Sequence, residues 1–298
     1  MTGRAAAPAA PAVDNVRGAL LLMAGAVFFT GEVVAVRYLG GRASDGQIVF
    51  ARAVVQFAVV ALWIALREPA LVRTRRPALH LLRGLTSLLC WWLYYRSFQA
   101  LDLALATILT FTTSLFVVLL AGPILGERVG RLRWAMTVLG FAGIAVATGP
   151  DVAGAQAAPL GVAAGLGAAL AASALIFQNR ILARTEPTAT IMFYIGLVAT
   201  LGTLPVMLAA WRPLEAEAAL LLALSGGLGT AGMVFTIEAY RVGEVSALAP
   251  FPYLRLVFSA AAGMLLFAEM PGVHTLAGAV LIVISALVVT RGEARPPG

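Results

Sequence analysis

Long runs of apolar residues, separated by short polar gaps, dominate the chain. Each run is about 20 residues long, which is the length an α-helix needs to cross the hydrocarbon core of a bilayer. The gaps hold helix-ending residues, such as Gly149-Pro150-Asp151 and Pro271-Gly272. The pattern predicts an all-α membrane protein with ten transmembrane helices, at residues 17–37, 47–66, 80–99, 103–125, 132–149, 159–181, 189–210, 217–240, 245–267 and 272–290.

The composition supports a chain surrounded by lipid. Of its 298 residues, 61% are hydrophobic and only 12% are charged, and the mean hydropathy is +0.93. A soluble domain is about half apolar and about a quarter charged. This chain has too few charges to cover a water-facing surface of its size, so we expect the lipid bilayer to be its solvent.

The basic residues indicate how the spans are oriented. All 21 are Arg, and the chain has no Lys. A pI near 10.5 could indicate nucleic-acid binding, but the arginines lie in the gaps between spans, where they act as topology signals. With the N-terminus inside, the inside segments hold 15 arginines and the outside segments hold 3. We therefore expect both termini in the cytoplasm and no nucleic-acid partner.

The absence of Lys has two further consequences. It removes any Walker-A phosphate loop, which needs its Lys, so an ATP-driven pump in this chain is not expected and no cofactor is predicted. Together with the abundant Ala, it also indicates a GC-rich bacterial genome. The predicted location is therefore the cytoplasmic (inner) membrane of a bacterium.

The two halves of the chain resemble each other. Leu125-Gly126-Glu127 closes the fourth span and Phe267-Ala268-Glu269 the ninth, 142 residues later, and at the front Gly18 matches Gly161. Because each half has five spans, the second half enters the membrane in the opposite sense, as in the inverted repeats of secondary transporters. An ancient duplication without alternating access is the competing interpretation. The predicted organisation is a disordered cytoplasmic tail (1–16), a first five-helix repeat (17–149), a second five-helix repeat (159–290) and a cytoplasmic tail (291–298).

Several motifs together resemble a known family. The aromatic third span runs from Trp91-Trp92-Leu93-Tyr94-Tyr95 to Ala100-Leu101, the fourth closes on Gly126-Glu127-Arg128, and a Gly-rich fifth span follows. This arrangement resembles the EamA branch of the drug/metabolite transporter superfamily, and within it bacterial amino-acid exporters. The resemblance implies ten helices, cytoplasmic termini and a central cavity between the halves. Phe267-Ala268-Glu269 departs from the pattern, since it lacks the Gly and the Arg.

Charged residues within spans are the first candidates for a substrate site, because a charge inside the bilayer is costly and usually functional. Glu32 and Arg255 lie far from the ends of their spans, and a carboxylate with a guanidinium could bind the ammonium and carboxylate groups of an amino acid. Glu32 and Glu238 are the candidates for proton coupling. Arg52 is interpreted as reaching outward to the membrane surface.

Aromatic and hydroxyl side chains complete the predicted central cavity. Each also has a structural interpretation: the aromatics of span three could form an interfacial belt, the prolines around Phe251 could form a plain kink, and a Thr hydroxyl could bond within its own helix. These alternatives stay open. The predicted substrate-binding residues are Glu32, Trp91, Trp92, Tyr95, Thr110, Phe251, Tyr253 and Arg255.

Three function classes compete. A secondary carrier of small organic metabolites, most of all an amino-acid exporter working as a monomer, agrees with the repeat and the buried charges; another metabolite or a drug-like solute is the alternative substrate, and import the alternative direction. A membrane-embedded enzyme would need a catalytic motif, but the chain has one Cys, two His and neither His-Glu-x-x-His nor Gly-x-Ser-x-Gly. A channel would need a more continuous polar stripe. No metal site is predicted, and proton coupling is left open.

Overall fold

The computed structural model describes residues 13–101, 103–152, 158–268 and 272–293, and these residues are helical, with no strand among them. Most of the two predicted tails lies outside the described residues. The α-helices are α1 (Asn15–Tyr38), α2 (Asp45–Arg67), α3 (Pro77–Ala100), α4 (Leu103–Phe111), α5 (Thr113–Leu125), α6 (Arg131–Val152), α7 (Pro159–Ala183), α8 (Thr188–Ala209), α9 (Ala216–Val242), α10 (Val245–Leu248), α11 (Leu254–Phe267) and α12 (Val273–Glu293).

Eight helical segments among the described residues are long and apolar enough to cross a membrane. They include α1, α2, α7, α8 and α9, the stretch Ile108–Leu125, the stretch Val245–Phe267 that contains α10 and α11, and most of α12. The helices α3 and α6, of 24 and 22 residues, also have the length of a span. The chain is therefore a helical, multi-pass membrane protein.

Two of the predicted spans are not continuous helices. The fourth is split at Thr112, whose hydroxyl donates a hydrogen bond of 2.6 Å to the carbonyl of Leu109. The ninth is split between Leu248 and Leu254 by a short 3₁₀ turn. Pro250 and Pro252 cause this second break, because proline has no N–H for the helical ladder. The apolar pattern alone did not predict these interruptions.

The fourth and ninth spans end in the same way, although their sequences differ. α5 is followed by Gly126 with φ of 72°, and α11 by Ala268 with φ of 53°. The left-handed conformation closes many helices and usually requires glycine. Ala268 is the one described non-glycine residue with positive φ. The two positions are the ones that the sequence repeat matches.

The helices pack in four main pairs: α1 with α9, α3 with α7, α2 with α8, and α6 with α12. Glycines bring two of these pairs close together. A Cβ atom on Gly25 would lie 3.1 Å from the carbonyl oxygen of Gly232, and one on Gly143 would lie 2.8 Å from that of Gly278. Small residues allow such close backbone approach between membrane helices. Every pair joins a helix of the first half to one of the second.

Candidate functional site

A pair of opposite charges lies between α1, α2 and α9. The carboxylate of Glu32 forms an ion pair with Nε of Arg52, and only 12% of the Glu32 side chain is exposed. A Cβ atom on Gly229 would lie 2.8 Å from a carboxylate oxygen of Glu32 and 2.9 Å from Nε of Arg52. The glycine in α9 therefore leaves the space that this ion pair fills.

The pair forms because its two residues lie at the same depth on neighbouring antiparallel helices. Glu32 precedes the end of α1 by roughly two turns, and Arg52 follows the start of α2 by roughly two turns. Away from water, a carboxylate and a guanidinium each need an opposite charge or a hydrogen-bond partner. Each residue supplies that partner to the other.

Arg255 is a second guanidinium beside this ion pair. Its Cζ lies 5.4 Å from the ring centroid of Phe29, and Cζ of Arg52 lies 5.9 Å from the same centroid. Arg255 also lies within electrostatic range of Glu32 and of Tyr94. These five residues, Phe29, Glu32, Arg52, Tyr94 and Arg255, are called the central charge cluster below.

The central charge cluster has an excess of positive charge. It holds two guanidinium groups and one carboxylate, and that carboxylate is already paired with Arg52. Arg255 is exposed, and no carboxylate of the described residues lies within 4.0 Å of its guanidinium. An exposed guanidinium with no ion-pair partner can bind a carboxylate or a phosphate group.

The broken ninth span explains why Arg255 is exposed. Pro250 and Pro252 end the helical ladder, and α11 starts at Leu254, so Arg255 lies in the first turn of a new helix. Its neighbours Tyr253 and Leu254 are buried, with 0% and 6% of their surfaces exposed. The first turn of a helix carries a partial positive charge from unpaired N–H groups. That dipole adds to the positive potential at Arg255.

The predicted aromatic residues of α3 surround the cluster only in part. Trp91 and Trp92 are 41% and 61% exposed, and the guanidinium of Arg96 lies 5.9 Å from the ring of Trp92. The side chain of Tyr95 lies outside the described part of the structure. Tyr94, in edge contact with Trp91 at 6.0 Å, is the aromatic residue of α3 that reaches Arg255.

Three other predicted residues are engaged elsewhere. The hydroxyl of Thr110 donates a 3.0 Å hydrogen bond to the carbonyl of Ala106 in its own helix. Phe251 is 2% exposed and Tyr253 is 0% exposed, and both belong to the main hydrophobic core. The ring of Tyr253 packs against Phe111, with the centroids 5.8 Å apart. The structure thus brings Glu32 and Arg255 together and gives these three residues packing contacts.

Glu238, the second coupling candidate, lies away from Glu32. It accepts a hydrogen bond from the hydroxyl of Thr188, and its carboxylate lies 3.3 Å from Nε of Arg241. On α9 it follows Gly229 by nine residues, or about 13 Å along the helix axis. The two carboxylates that sequence reasoning grouped as coupling candidates therefore belong to different sites.

Arg241 is part of a network that joins the ends of α7 and α9. Its guanidinium donates to the carbonyls of Ala183 and Glu186, and in return Arg180 donates to the carbonyls of Tyr240 and Arg241. The last carbonyls of a helix have no partner within the helix. Each helix thus supplies the arginine that satisfies the end of the other.

The same end of the molecule is tied across the two halves. Both oxygens of the Glu127 carboxylate accept hydrogen bonds, at 2.9 Å each, from the backbone N–H groups of Val245 and Ser246. Arg133 forms an ion pair with Glu244 and donates to the Ser246 hydroxyl at 2.9 Å. We call the contacts of Glu127 and Arg133 with residues 244–246 the closed-end network.

The opposite end has fewer buried ties between the halves. Arg42 pairs with Glu217 at 2.9 Å, but the two side chains are 35% and 69% exposed. Gln47 donates a 2.7 Å hydrogen bond to the carbonyl of Arg212. Because exposed ion pairs add little stability, this end is held together less firmly than the end with the closed-end network.

Sequence reasoning missed three members of the central arrangement: Phe29, Arg52 and Gly229. Arg52 was interpreted as reaching the membrane surface, but its ion pair with Glu32 is only partly exposed. The equal depths of Glu32 and Arg52 on adjacent predicted spans were the signal that could have found this pair. Phe29 and Gly229 carry no such signal, because phenylalanine and glycine are common throughout these spans.

Comparison with known proteins gives a family and several relatives. The profile of the EamA-like transporter family matches residues 16–149 and again residues 159–291. The chain is 30% identical to the S-adenosylmethionine uptake transporter of Rickettsia prowazekii over 258 residues, which cover 86% of each chain. It is 29% identical to the pseudopaline exporter CntI of Pseudomonas aeruginosa, over 92% of this chain and 96% of the relative.

A third relative and a solved structure extend the comparison. The riboflavin transporter of Rhizobium johnstonii is 32% identical over 227 residues, which cover 76% of this chain and 74% of the relative. A crystal structure of a protein that is 22% identical superposes with a TM-score of 0.79, over 93% of this chain and 97% of that one. This likeness concerns the fold alone.

Proposed function

The chain belongs to the EamA-like transporter family, and on that premise we propose that it is a secondary transporter of zwitterionic, amino-acid-like metabolites that works by alternating access. Its relatives carry the names of transporters of small molecules. Those names support a metabolite transporter over a membrane-embedded enzyme. The substrate class, the topology and the mechanism proposed below rest on further observations.

We propose ten spans arranged as two inverted five-helix repeats, 17–149 and 159–290. An inverted repeat relates span one to span six and span three to span eight, so contact between spans one and eight requires contact between spans six and three. The observed pairs α1–α9 and α3–α7 meet this requirement, and α2–α8 and α6–α12 each pair equivalent spans. Broken helices at corresponding positions, here spans four and nine, are typical of binding sites in such transporters.

One observation carries the substrate proposal: Arg255 is exposed, has no carboxylate of the described residues within ion-pair distance, and lies beside Glu32. In the proposed complex, Arg255 binds the carboxylate of the substrate and Glu32 binds its ammonium group. Arg52 holds Glu32 ionised and in position until the ammonium group arrives. S-adenosylmethionine, which gives one relative its name, carries both of these groups on its methionine part.

Amino-acid export is one case of this proposal. The positive-inside distribution of arginines supports cytoplasmic termini in a bacterial inner membrane, so the closed-end network lies on the cytoplasmic side. The relatives include both an uptake transporter and an exporter, and the substrate gradient, or a proton taken up by Glu32, sets the direction. One chain contains both halves, which supports a functional monomer.

A second candidate substrate class is a flat aromatic solute. The exposed faces of Trp91 and Trp92, together with Tyr94, offer surfaces on which a ring system could stack. One relative is named a riboflavin transporter. This alternative predicts transport that depends on the α3 aromatics and does not require the ammonium group of an amino acid.

The test is uptake by proteoliposomes that contain only the purified protein, with and without a pH gradient. The panel holds radiolabelled amino acids, S-adenosylmethionine and riboflavin. Saturable uptake of solutes with both an ammonium and a carboxylate group, lost in Glu32→Gln and Arg255→Gln, supports the proposal. Uptake of riboflavin alone, or no saturable uptake by a folded and inserted protein, contradicts the zwitterion assignment.

A further inference from the structure

A second arginine, Arg83, lies buried between α3 and α7 without a counter-charge. It is 4% exposed, and its Nε donates a 2.8 Å hydrogen bond to the side-chain oxygen of Asn179. No other hydrogen bond or ion pair joins its guanidinium to the residues that the structure describes. A guanidinium has five N–H donors, and in a buried setting it normally pairs with a carboxylate.

The groups around Arg83 are also under-used. Gln178 donates to the Thr86 hydroxyl at 3.1 Å, but its buried side-chain oxygen has no partner. Both ring nitrogens of His80 are buried and unpartnered, and the ring stacks on Tyr194 with centroids 4.6 Å apart. Buried polar atoms in a native protein are nearly always hydrogen-bonded. The unmet bonding capacity of this cluster indicates that it serves another conformation or a ligand.

The nearest carboxylate is already occupied. Glu186 lies within electrostatic range of His80, but one of its oxygens accepts hydrogen bonds from the hydroxyl of Thr74 at 2.9 Å and from the backbone N–H of Arg75 at 3.0 Å. It forms no ion pair with Arg83 within 4.0 Å among the described residues. The charge on Arg83 is therefore left for a group from outside the chain.

The position of Arg83 relates it to the central charge cluster. The α3–α7 contact is the counterpart of the α1–α9 contact in the proposed inverted repeat. Glu32 lies about two turns from the outer end of α1, and Arg83 lies about two turns from the inner end of α3. Ser87 occupies the position that matches Gly229, and Arg83 lies one turn from it, toward the cytoplasm.

We infer that Arg83 is a second carboxylate-binding site, which holds the substrate carboxylate on the cytoplasmic side when α3 and α7 separate there. In this structure the site is closed, and Asn179 keeps the guanidinium in place. This inference rests on the proposed function. It assigns Arg255 to the outward-facing state and Arg83 to the inward-facing state, with carboxylate-bearing, amino-acid-like solutes as ligands of both.

Asn179→Asp gives the sharpest test, because it places a carboxylate of nearly the same shape beside Arg83. If Arg83 only ties α3 to α7, the new ion pair strengthens that tie and leaves substrate affinity unchanged. If Arg83 binds the substrate carboxylate, the tethered carboxylate competes for it. The variant is compared with Arg83→Gln and Arg83→Lys, and with Arg76→Gln as the control, which removes an exposed arginine at the same end of α3.

KM is measured for one transported amino acid in right-side-out and in everted membrane vesicles, which present opposite faces of the protein. We expect Asn179→Asp and Arg83→Gln to raise KM about tenfold or more on the cytoplasmic face, with KM on the other face changed by less than about twofold. Arg83→Lys recovers part of the loss, and Arg76→Gln leaves both values unchanged.

The outcomes separate this inference from the proposed function. If KM changes equally on both faces, or on neither, while the wild type transports amino acids, Arg83 is not a cytoplasmic substrate site. If Asn179→Asp fails to fold, the face-specific KM of Arg83→Lys decides the question in the same way. If the wild type shows no saturable amino-acid uptake in either vesicle type, the proposed function fails, and this inference fails with it.

Discussion

Gly226 of α9 lies directly against Val55 of α2: a Cβ atom added to the glycine would lie 2.7 Å from Cβ of Val55. The same contact occurs in the other half, where Gly84 of α3 lies against Val198 of α8. Gly84 and Gly226 are 142 residues apart, and the two valines are 143 apart. These are the two offsets of the sequence repeat, so a packing detail is repeated along with the sequence.

This contact predicts the effect of Gly226→Ala. The added methyl group would overlap a β-branched side chain that has little rotamer freedom, and we expect the free energy of unfolding to fall by about 1–3 kcal/mol. Gly227→Ala is the matched control, because no atom lies within 4 Å of the methyl group that it would add. Unfolding by a denaturing detergent, followed by circular dichroism, measures both.

The partner residue gives a further check on this prediction. Val55→Ala removes the side chain that the new methyl group would meet, so Gly226→Ala should cost less in a Val55→Ala background than in the wild type. Equal costs in the two backgrounds would mean that the contact between Gly226 and Val55 is not the source of the effect.

A second stability prediction concerns the left-handed cap at Ala268. Because an L-residue with a side chain is disfavoured at φ of 53°, we expect Ala268→Gly to raise the free energy of unfolding by about 1 kcal/mol. Gly126→Ala, at the matching position of the first half, should lower it by a similar amount. A change of the same sign in both variants would contradict the equivalence of the two caps.

Periodic apolar runs predict spans well, because twenty apolar residues have few stable arrangements other than a membrane helix. The same pattern does not reveal where a span breaks. Pro250 and Pro252 were visible in the sequence as a possible kink, but Thr112 was not, since threonine hydroxyls bond within continuous helices as well as at breaks. The repeat was the better guide to spans four and nine.

For the site, the sequence could identify residue types but not partners. Glu32 and Arg255 were predicted from their depth in the bilayer, and the structure brings them near each other. The Glu32–Arg52 ion pair depends on how α1 and α2 rotate about their axes, which the space beside Gly229 helps to determine. Glu238 was grouped with Glu32 by chemistry alone, and its contacts with Thr188 and Arg241 are with other helices or turns.

A third prediction concerns transport without loss of stability. In Gly229→Ala the new methyl group would meet only the flexible ends of Glu32 and Arg52, so the ion pair moves while the helices stay in place. We expect the transport rate to fall about tenfold, because the substrate ammonium group no longer meets Glu32 in the right geometry. Gly227→Ala again serves as control. Unchanged transport in folded Gly229→Ala would separate the ion pair from the transport cycle.

A fourth prediction concerns the closed-end network. Glu127→Gln replaces one of the two acceptor oxygens with an NH₂ group that would face a backbone N–H, and the loss of a hydrogen bond to a charged group costs about 1.5–3 kcal/mol. We therefore expect the population to shift toward a state that is open at this end.

This shift is measured with a cysteine at Ala247, which is 1% exposed, in a Cys90→Ala background. In everted vesicles, a membrane-impermeant thiol reagent should label the cysteine at position 247 faster in Glu127→Gln than in the parent protein. Glu68→Gln, which changes an exposed glutamate, should leave the labelling rate unchanged. Equal rates in all three would show that Glu127 does not hold this end closed.

Counterflow in proteoliposomes tests the central claim, that this chain is an alternating-access carrier, most directly. Vesicles are loaded with an unlabelled amino acid that the protein transports, and a trace of the labelled form is added outside. A carrier whose site faces one side at a time predicts a transient accumulation of label above equilibrium, present in Gly227→Ala and absent in Arg255→Gln. Influx that never exceeds equilibrium and rises in proportion to concentration would contradict the claim and indicate a channel.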